Sequence, residues 1–368
     1  MTGLRSTLGK MFGGAAVEVP GVPEADLVVA PSSPQEVARL LDFASEHGLV
    51  VLAWGAGTHQ GYGGRVDPDV VITTSGFDQI VDWQPDDLTV VVGSGVTLGT
   101  LDALLAERRQ SAVLPENSPD ATIGGVVAAG ISGWRRLRYG PTRERLLEVV
   151  LVTGDGRIVR GGAQVVKNVT GYDLPRLLTG SFGSLGILTR VCLKLWPQQA
   201  TAVTVMVDDP VRALAVTYRP LAVLQTRERT TVHLAGTEAE VSAQVSAVGG
   251  AVTQGLVWPA EPDGECIVRV RVPPARVVEA VDRLDGGFVA AHGVGEVTAA
   301  VPPGEIPALR EWAEAADGVV VIESAPAAVY AAIDPWGTPP STVALQRRIK
   351  AAFDPVGVLV PGRLPGGV

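Results

Sequence analysis

The chain has 368 residues, 39 acidic against 30 basic side chains for a formal charge of −9, and an apolar fraction of 46%. That is material for roughly two to three packed domains, and it excludes a nucleic-acid backbone as the expected partner, since affinity for phosphate chains rests on surplus Lys and Arg. Cys192 and Cys266 are the only cysteines and form no Cys-x-x-Cys, so the chain supplies no iron–sulfur or zinc site of its own. The first twenty residues lack an apolar run of signal-peptide length and no later stretch approaches a membrane span; the expectation is a cytoplasmic protein without direct membrane insertion, held to a membrane, if at all, through partners.

Ser33-Pro34-Gln35-Glu36 is a capping box with proline at the first helical position. Val37, Leu40, Leu41 and Ala44 fall on one face of the helix that follows, and Gly48 stops it. A short apolar strand over 49–54 then runs into Gly55-Ala56-Gly57-Thr58-His59-Gln60-Gly61-Tyr62-Gly63-Gly64. This loop fails the fingerprint of a doubly wound dinucleotide fold, because Gln60 stands where the third glycine is needed and no amphipathic helix follows before Asp67-Pro68. Successive N–H groups can still cradle a pyrophosphate with no helix dipole behind them, and a plain glycine-rich surface loop is the competing reading. Strands are expected at 70–73 and 88–92, with a polar turn between, and Thr97 opens a helix that buries Leu98, Leu101, Leu104 and Leu105.

Residues 114–133, Leu-Pro-Glu-Asn-Ser-Pro-Asp-Ala-Thr-Ile-Gly-Gly-Val-Val-Ala-Ala-Gly-Ile-Ser-Gly, carry the main expectation. Side chains this short let a backbone press against a large flat ligand, and the glycines are expected to offer amide donors to it. A packed crossover with no ligand is the alternative. Arg135, Arg136, Arg138, Arg143 and Arg145 follow as the only dense basic cluster, suited to a solvated loop or to a counter-charge for a dinucleotide phosphate, a carboxylate substrate or an acidic partner. A hairpin turns at Gly154-Asp155-Gly156. Next come Lys167-Asn168-Val169-Thr170-Gly171-Tyr172-Asp173-Leu174 and Gly180, Gly183 and Gly186 at three-residue spacing, then a strand from Ile187 to Trp196.

Helix, strand, glycine loop, Ile-Gly-Gly crossover, Gly-Tyr-Asp-Leu and Gly-Ser-Leu-Gly-Ile-Leu-Thr, in that order over the first 200 residues, resemble the FAD-binding domain of the vanillyl-alcohol oxidase and p-cresol methylhydroxylase (PCMH) superfamily. Gly-Ile-Ser-Gly-x-Arg-Arg at 130–136, Lys-Asn-Val-x-Gly-Tyr-Asp-Leu at 167–174 and Phe-Asp-Pro-x-Gly-x-x-x-Pro-Gly-Arg at 353–363 make the set most similar to the FAD-binding subunits of bacterial glycolate oxidases. The resemblance implies an α+β fold: a PCMH-type FAD-binding domain of two subdomains over residues 1–199, a smaller α/β domain of split βαβ type over 200–340, and a helix and tail over 341–368 that return to the first domain. It implies FAD as cofactor, with Gly55, Ala56, Gly57, Thr58 and His59 on the pyrophosphate. Pro115, Asn117, Thr122, Ile123, Gly124 and Gly125 would line phosphates and flavin, Ser132, Gly133 and Arg143 lie beyond them, Gly186 and Ile187 give main-chain contacts, and Arg363 lies near the cofactor. Ala56 stands where some relatives have glycine, and His59 where many have a small or basic residue; some superfamily members use a histidine near this loop for a covalent flavin link.

The middle of the chain shows no site of its own. Strands at 201–207, 232–235, 267–272 and 319–323 alternate with helices at 238–248, 275–284 and 306–316. Relatives that oxidise D-2-hydroxy acids at a metal-assisted site would carry paired histidines here, whereas His47, His59, His233 and His292 are scattered, so no metal is expected. A cation near the flavin, Lys167 or one of Arg135, Arg136 and Arg363, would stabilise its reduced anion. The expected role is the FAD-binding subunit of a glycolate (2-hydroxy acid) oxidase or dehydrogenase complex, beside a second FAD subunit and an iron–sulfur subunit. A stand-alone FAD oxidase or dehydrogenase of an alcohol or 2-hydroxy acid, and a flavin-free structural subunit, are the alternatives.

Overall fold

The computed structural model of the protein describes residues 18–165 and 171–368; Lys167, Asn168, Val169 and Thr170 lie outside the described residues. Strands Leu27–Val29, Val70–Thr73 and Val51–Trp54 form a parallel three-stranded sheet with Val70–Thr73 in the centre. Helix Pro34–His47 buries Val37, Leu40, Leu41 and Ala44 in one core with Val51, Val70 and Ile72. Ser33 accepts from the Glu36 N–H and Gly48 ends the helix at φ 65°; the Glu36 carboxylate takes the Ser32 amide, so the box closes one residue earlier than its sequence suggests. Strands buried on both faces read as continuous apolar runs, which is how both Val51–Trp54 and Val70–Thr73 are written.

The second subdomain is an antiparallel five-stranded sheet in the order Ile80–Gln84, Thr89–Gly93, Ile187–Lys194, Leu146–Val152, Ile158–Gly162. Helices Leu98–Ala106 and Ile123–Ala129 share its core. The Gly-Gly crossover, for which the residues alone suggest no regular element, folds as the second of these, a short helix. Thr122 caps it by accepting from the Gly125 N–H, and Gly130, at φ 68°, ends it. Glycine is needed at 124 because a Cβ there would lie 2.8 Å from Ser94 Cβ.

Residues 201–324 build an eight-stranded sheet in which every pairing between neighbours is antiparallel. The expected split βαβ unit is present twice. Strands Thr201–Val207, Ala222–Thr226, Thr230–Gly236 and Ala251–Gln254, with helices Pro210–Val216 and Glu238–Val248, form one β-α-β-β-α-β unit; Cys266–Arg271, Phe288–His292, Glu296–Val301 and Val319–Ser324, with Val277–Val281 and Ile306–Ala315, form the other. The two join edge to edge where Ala222–Thr226 pairs with Phe288–His292. The tail then returns to the first subdomain: after helix Val343–Phe353, the Val51 N–H donates to Val358 O (2.8 Å) and the Val360 N–H to Val51 O (3.2 Å). Leu359 thereby lies as a parallel bridge beside the strand that leads into the glycine loop.

Candidate functional site

Strand Val51–Trp54 delivers Gly55 to one wall of a cleft of about 630 Å³. That wall is the loop Gly55, Ala56, Gly57, Thr58 and His59; facing it are Thr122, Gly124 and Gly125 of the short helix, with Gly183, Gly186 and Ile187 from the loop before strand Ile187–Lys194. Arg363 closes the rim, its guanidinium donating to Gln60 O at 3.0 Å. None of the five successive amides from Gly55 to His59 donates to an acceptor among the described residues. Five unspent N–H groups on one glycine loop are the raw material of an anion-binding concavity. Two side-chain atoms at the same cleft, Thr74 Oγ1 and Arg363 Nε, are buried without a partner. Burial lowers the Arg363 pKa to about 10, which leaves it a cation at neutral pH.

The opposite wall works differently from the sequence expectation. The amides of Ile123, Gly124 and Gly125 are already spent, on Val96 O (2.9 Å), Ser94 O (2.7 Å) and Thr122 Oγ1 (3.2 Å). Ile123 is fully buried in the core and does not line the cleft. Gly124 and Gly125 line the cleft with bare backbone, and the unspent donors are on the loop that faces them. The loop comes so close that a Cβ on Gly55 would sit 2.1 Å from Thr122 Oγ1.

Thr58 and His59 also line a second cleft, of about 1010 Å³, between this domain and the face of the eight-stranded sheet. Pro115, Asn117, Ser132 and Gly133 are here rather than in the first cleft. Asn117 is held by donating to Pro259 O (2.8 Å), and Gly133 leaves room for the Glu116 carboxylate, which accepts from the Trp134 N–H and from Arg135. The sheet contributes Arg269, Glu296 and Glu323. Arg269 pairs with both carboxylates, and the Tyr62 hydroxyl donates to Glu323, so the glycine loop is tied to the sheet. Burial pushes the Glu296 carboxyl up, but Arg269, Arg271 and Arg136 outweigh it and hold it at about 2. His59 is shifted down by burial, with Glu323 opposing and Arg269 reinforcing. Burial thus favours its neutral form, and its Nδ1 lies 2.9 Å from Thr58 Oγ1.

The basic cluster divides by role. Arg145 is buried and donates to the carbonyls of Tyr139, Gly140 and Pro141; Arg135 binds Glu116; Arg138 reaches Ala235 O. Arg136 and Arg143 line a third and wider cleft of about 1440 Å³, together with Arg176 and Arg271. Arg143 is thus apart from the Gly55–His59 cradle. Sequence reasoning missed Tyr62, Arg269, Glu296 and Glu323. The available signal was Arg269 and Arg271 at alternate positions of Cys266–Arg271, which puts two guanidinium groups on one sheet face. Among the described residues no group of three or more His, Cys, Asp or Glu is placed to hold a metal ion, and no helix is long and apolar enough to cross a membrane.

Residues 25–162 match the family described as FAD binding domain. A D-lactate dehydrogenase of Archaeoglobus fulgidus is 33% identical over 193 residues, which cover 52% of this chain and 43% of the relative. Glycolate oxidase subunit GlcD of Bacillus subtilis is 34% identical over 186 residues (49% and 39%), and subunit GlcE of Escherichia coli 41% over 123 (32% and 35%). These matches span less than half the length of each relative. Among solved structures, alkyldihydroxyacetonephosphate synthase superposes with a TM-score of 0.65 over 92% of this chain and 76% of that one, at 15% identity, which speaks to the fold alone. The unspent amides, the glycines at 124, 125, 183 and 186 on the facing wall and the buried unpartnered atoms of Thr74 and Arg363 fit a dinucleotide. Residues 25–162 therefore carry an FAD-binding domain, and FAD is the cofactor.

Proposed function

We propose that the protein is the FAD-binding subunit of a 2-hydroxy acid oxidase or dehydrogenase complex, working beside a second FAD subunit and an iron–sulfur subunit. The observation that carries the redox reading is the run of unspent amides from Gly55 to His59, which opens at Thr58 and His59 into a cleft roofed by a charged sheet face. Gly55, Ala56, Gly57, Thr58 and His59 hold the pyrophosphate. Thr122, Gly124, Gly125, Gly186 and Ile187 flank the nucleotide, and Pro115, Asn117, Ser132 and Gly133 lie toward the flavin. When bound, FAD supplies the hydride-accepting chemistry for a CH–OH carbon. His59 contributes an imidazole at the junction of the two clefts, its neutral form favoured by burial.

Membership of a complex is favoured by the second cleft. Its lining guanidinium, Arg269, is already neutralised by Glu296 and Glu323, and Glu116 and Glu261 add further carboxylates. Among the described residues that line this cleft there is no cation left over for the carboxylate of a small 2-hydroxy acid, which supports oxidation of the substrate on another subunit. Glycolate and D-lactate, named for the relatives, are the substrates to try. The test is anaerobic addition of each to the FAD-loaded chain, alone and co-purified with its partners. The proposal predicts bleaching of the flavin absorbance only in the co-purified complex. Bleaching of the isolated chain would establish a stand-alone enzyme instead.

A further inference from the structure

We infer that Lys350 is a positioning residue for the cofactor slot: its ammonium ties together, behind the slot, the chain segments that form the slot's two facing walls. Lys350 lies in the last turn of helix Val343–Phe353 and is only 8% exposed. Its Nζ donates to Ser184 O (2.8 Å), to Leu359 O (2.6 Å) and to the Asp354 carboxylate (2.5 Å), which uses all three of its N–H bonds.

The three acceptors belong to different parts of the site. Ser184 is fully buried in the loop whose Gly183 and Gly186 line the slot on one side. Leu359 is bridged to Val51, at the start of the strand that delivers Gly55 on the other side. Asp354 locks the tail by accepting from the amides of Gly357 (3.1 Å), Val358 (3.0 Å) and Leu359 (2.9 Å). Four residues beyond Leu359, Arg363 reaches Gln60 O on the loop itself. A buried ammonium is costly, and an apolar side chain of the same length would fill the space. What the ammonium adds is a fixed spacing between the Gly183–Gly186 loop and the strand feeding the amide cradle.

The inference rests on the slot being the FAD site, and its tests separate the two. Lys350→Met keeps the unbranched stem, one atom shorter, and removes the donors; Lys350→Arg keeps the charge. In titrations of the flavin-free full chain with FAD, followed by flavin fluorescence, Lys350→Met is expected to raise Kd by about tenfold or more, and Lys350→Arg to recover part of the loss. Because Lys350→Met strands Asp354, the wild-type chain supplies a second measurement that needs no variant. Coupling is reciprocal, so FAD binding must tighten the clamp in turn. Amide hydrogen exchange at Gly357, Val358 and Leu359, none of which lines the slot, is expected to slow by at least about fivefold on saturation with FAD. Wild-type Kd in a folded Lys350→Met chain, or unchanged exchange at those amides, overturns the positioning role. A wild-type chain that takes up no FAD overturns both readings.

Discussion

Gly55→Ala tests how closely the two subdomains approach across the cofactor slot. The added Cβ would sit 2.1 Å from Thr122 Oγ1 and 3.3 Å from Thr122 Cβ. A tolerable contact needs a shift of roughly 1 Å. If Thr122 rotates away, the helix Ile123–Ala129 loses its cap and the Gly125 amide its acceptor, at about 1 kcal/mol. If the loop moves instead, overpacking of this kind costs about 1–3 kcal/mol. The free chain can relieve the clash by letting the loop drift, whereas FAD bound as proposed requires the loop in place, so the cost is expected to reappear as lost affinity, about 5- to 150-fold in Kd. The assay is the titration of flavin-free chain with FAD, run beside urea unfolding of the same samples. Placed in a Thr122→Ala background, Gly55→Ala should cost less, since the oxygen it strikes is gone, and the two changes should be non-additive by about 1 kcal/mol. A Gly55→Ala chain that titrates like wild type refutes the reasoning.

Other consequences follow from buried charges. The folded pKa of Glu296, about 2, lies below its ordinary 4.5. Its stabilisation is therefore complete above about pH 4.5 and is lost as pH falls toward 2, a contribution on the order of 3 kcal/mol. Urea midpoints across that window should fall steeply in wild type and less steeply in Glu296→Gln, which at pH 7 should be destabilised by about 3–5 kcal/mol; identical acid slopes would contradict the pairing. Arg145 serves three carbonyls and stacks with its guanidinium carbon 4.9 Å from the centre of the Trp196 ring. Lysine cannot present that fork, so Arg145→Lys should cost about 2–4 kcal/mol of stability while leaving the FAD Kd close to wild type. A large loss of FAD affinity with unchanged stability would return Arg145 to a cofactor role.

What could be read from the residues depended on how local the causes are. Helices Pro34–His47 and Glu238–Val248 carry their caps in adjacent residues, and both were legible. Helix Ile123–Ala129 was not, because two glycines and two valines have poor helix propensity, and the segment is held by Thr122, Gly130 and its packing on the five-stranded sheet. Strands Phe288–His292 and Glu296–Val301 are buried throughout, so they show no alternation to betray them. The amide cradle announced itself as a glycine loop after an apolar strand. The charged roof did not, because Arg136 and Glu296 meet across 160 residues of chain and Tyr62 and Glu323 across 261. The duplication of the split unit was likewise hidden, since what its two copies visibly share is an order of elements.

The central claim is that the unspent amides of Gly55 to His59 hold the pyrophosphate of FAD. The most direct measurement is an equilibrium titration of the flavin-free full chain with FAD and, in parallel, with riboflavin, which carries the same ring system and no phosphate. The account predicts saturation at one FAD per chain and far weaker uptake of riboflavin. Equal affinity for the two, or no uptake of FAD, would contradict it.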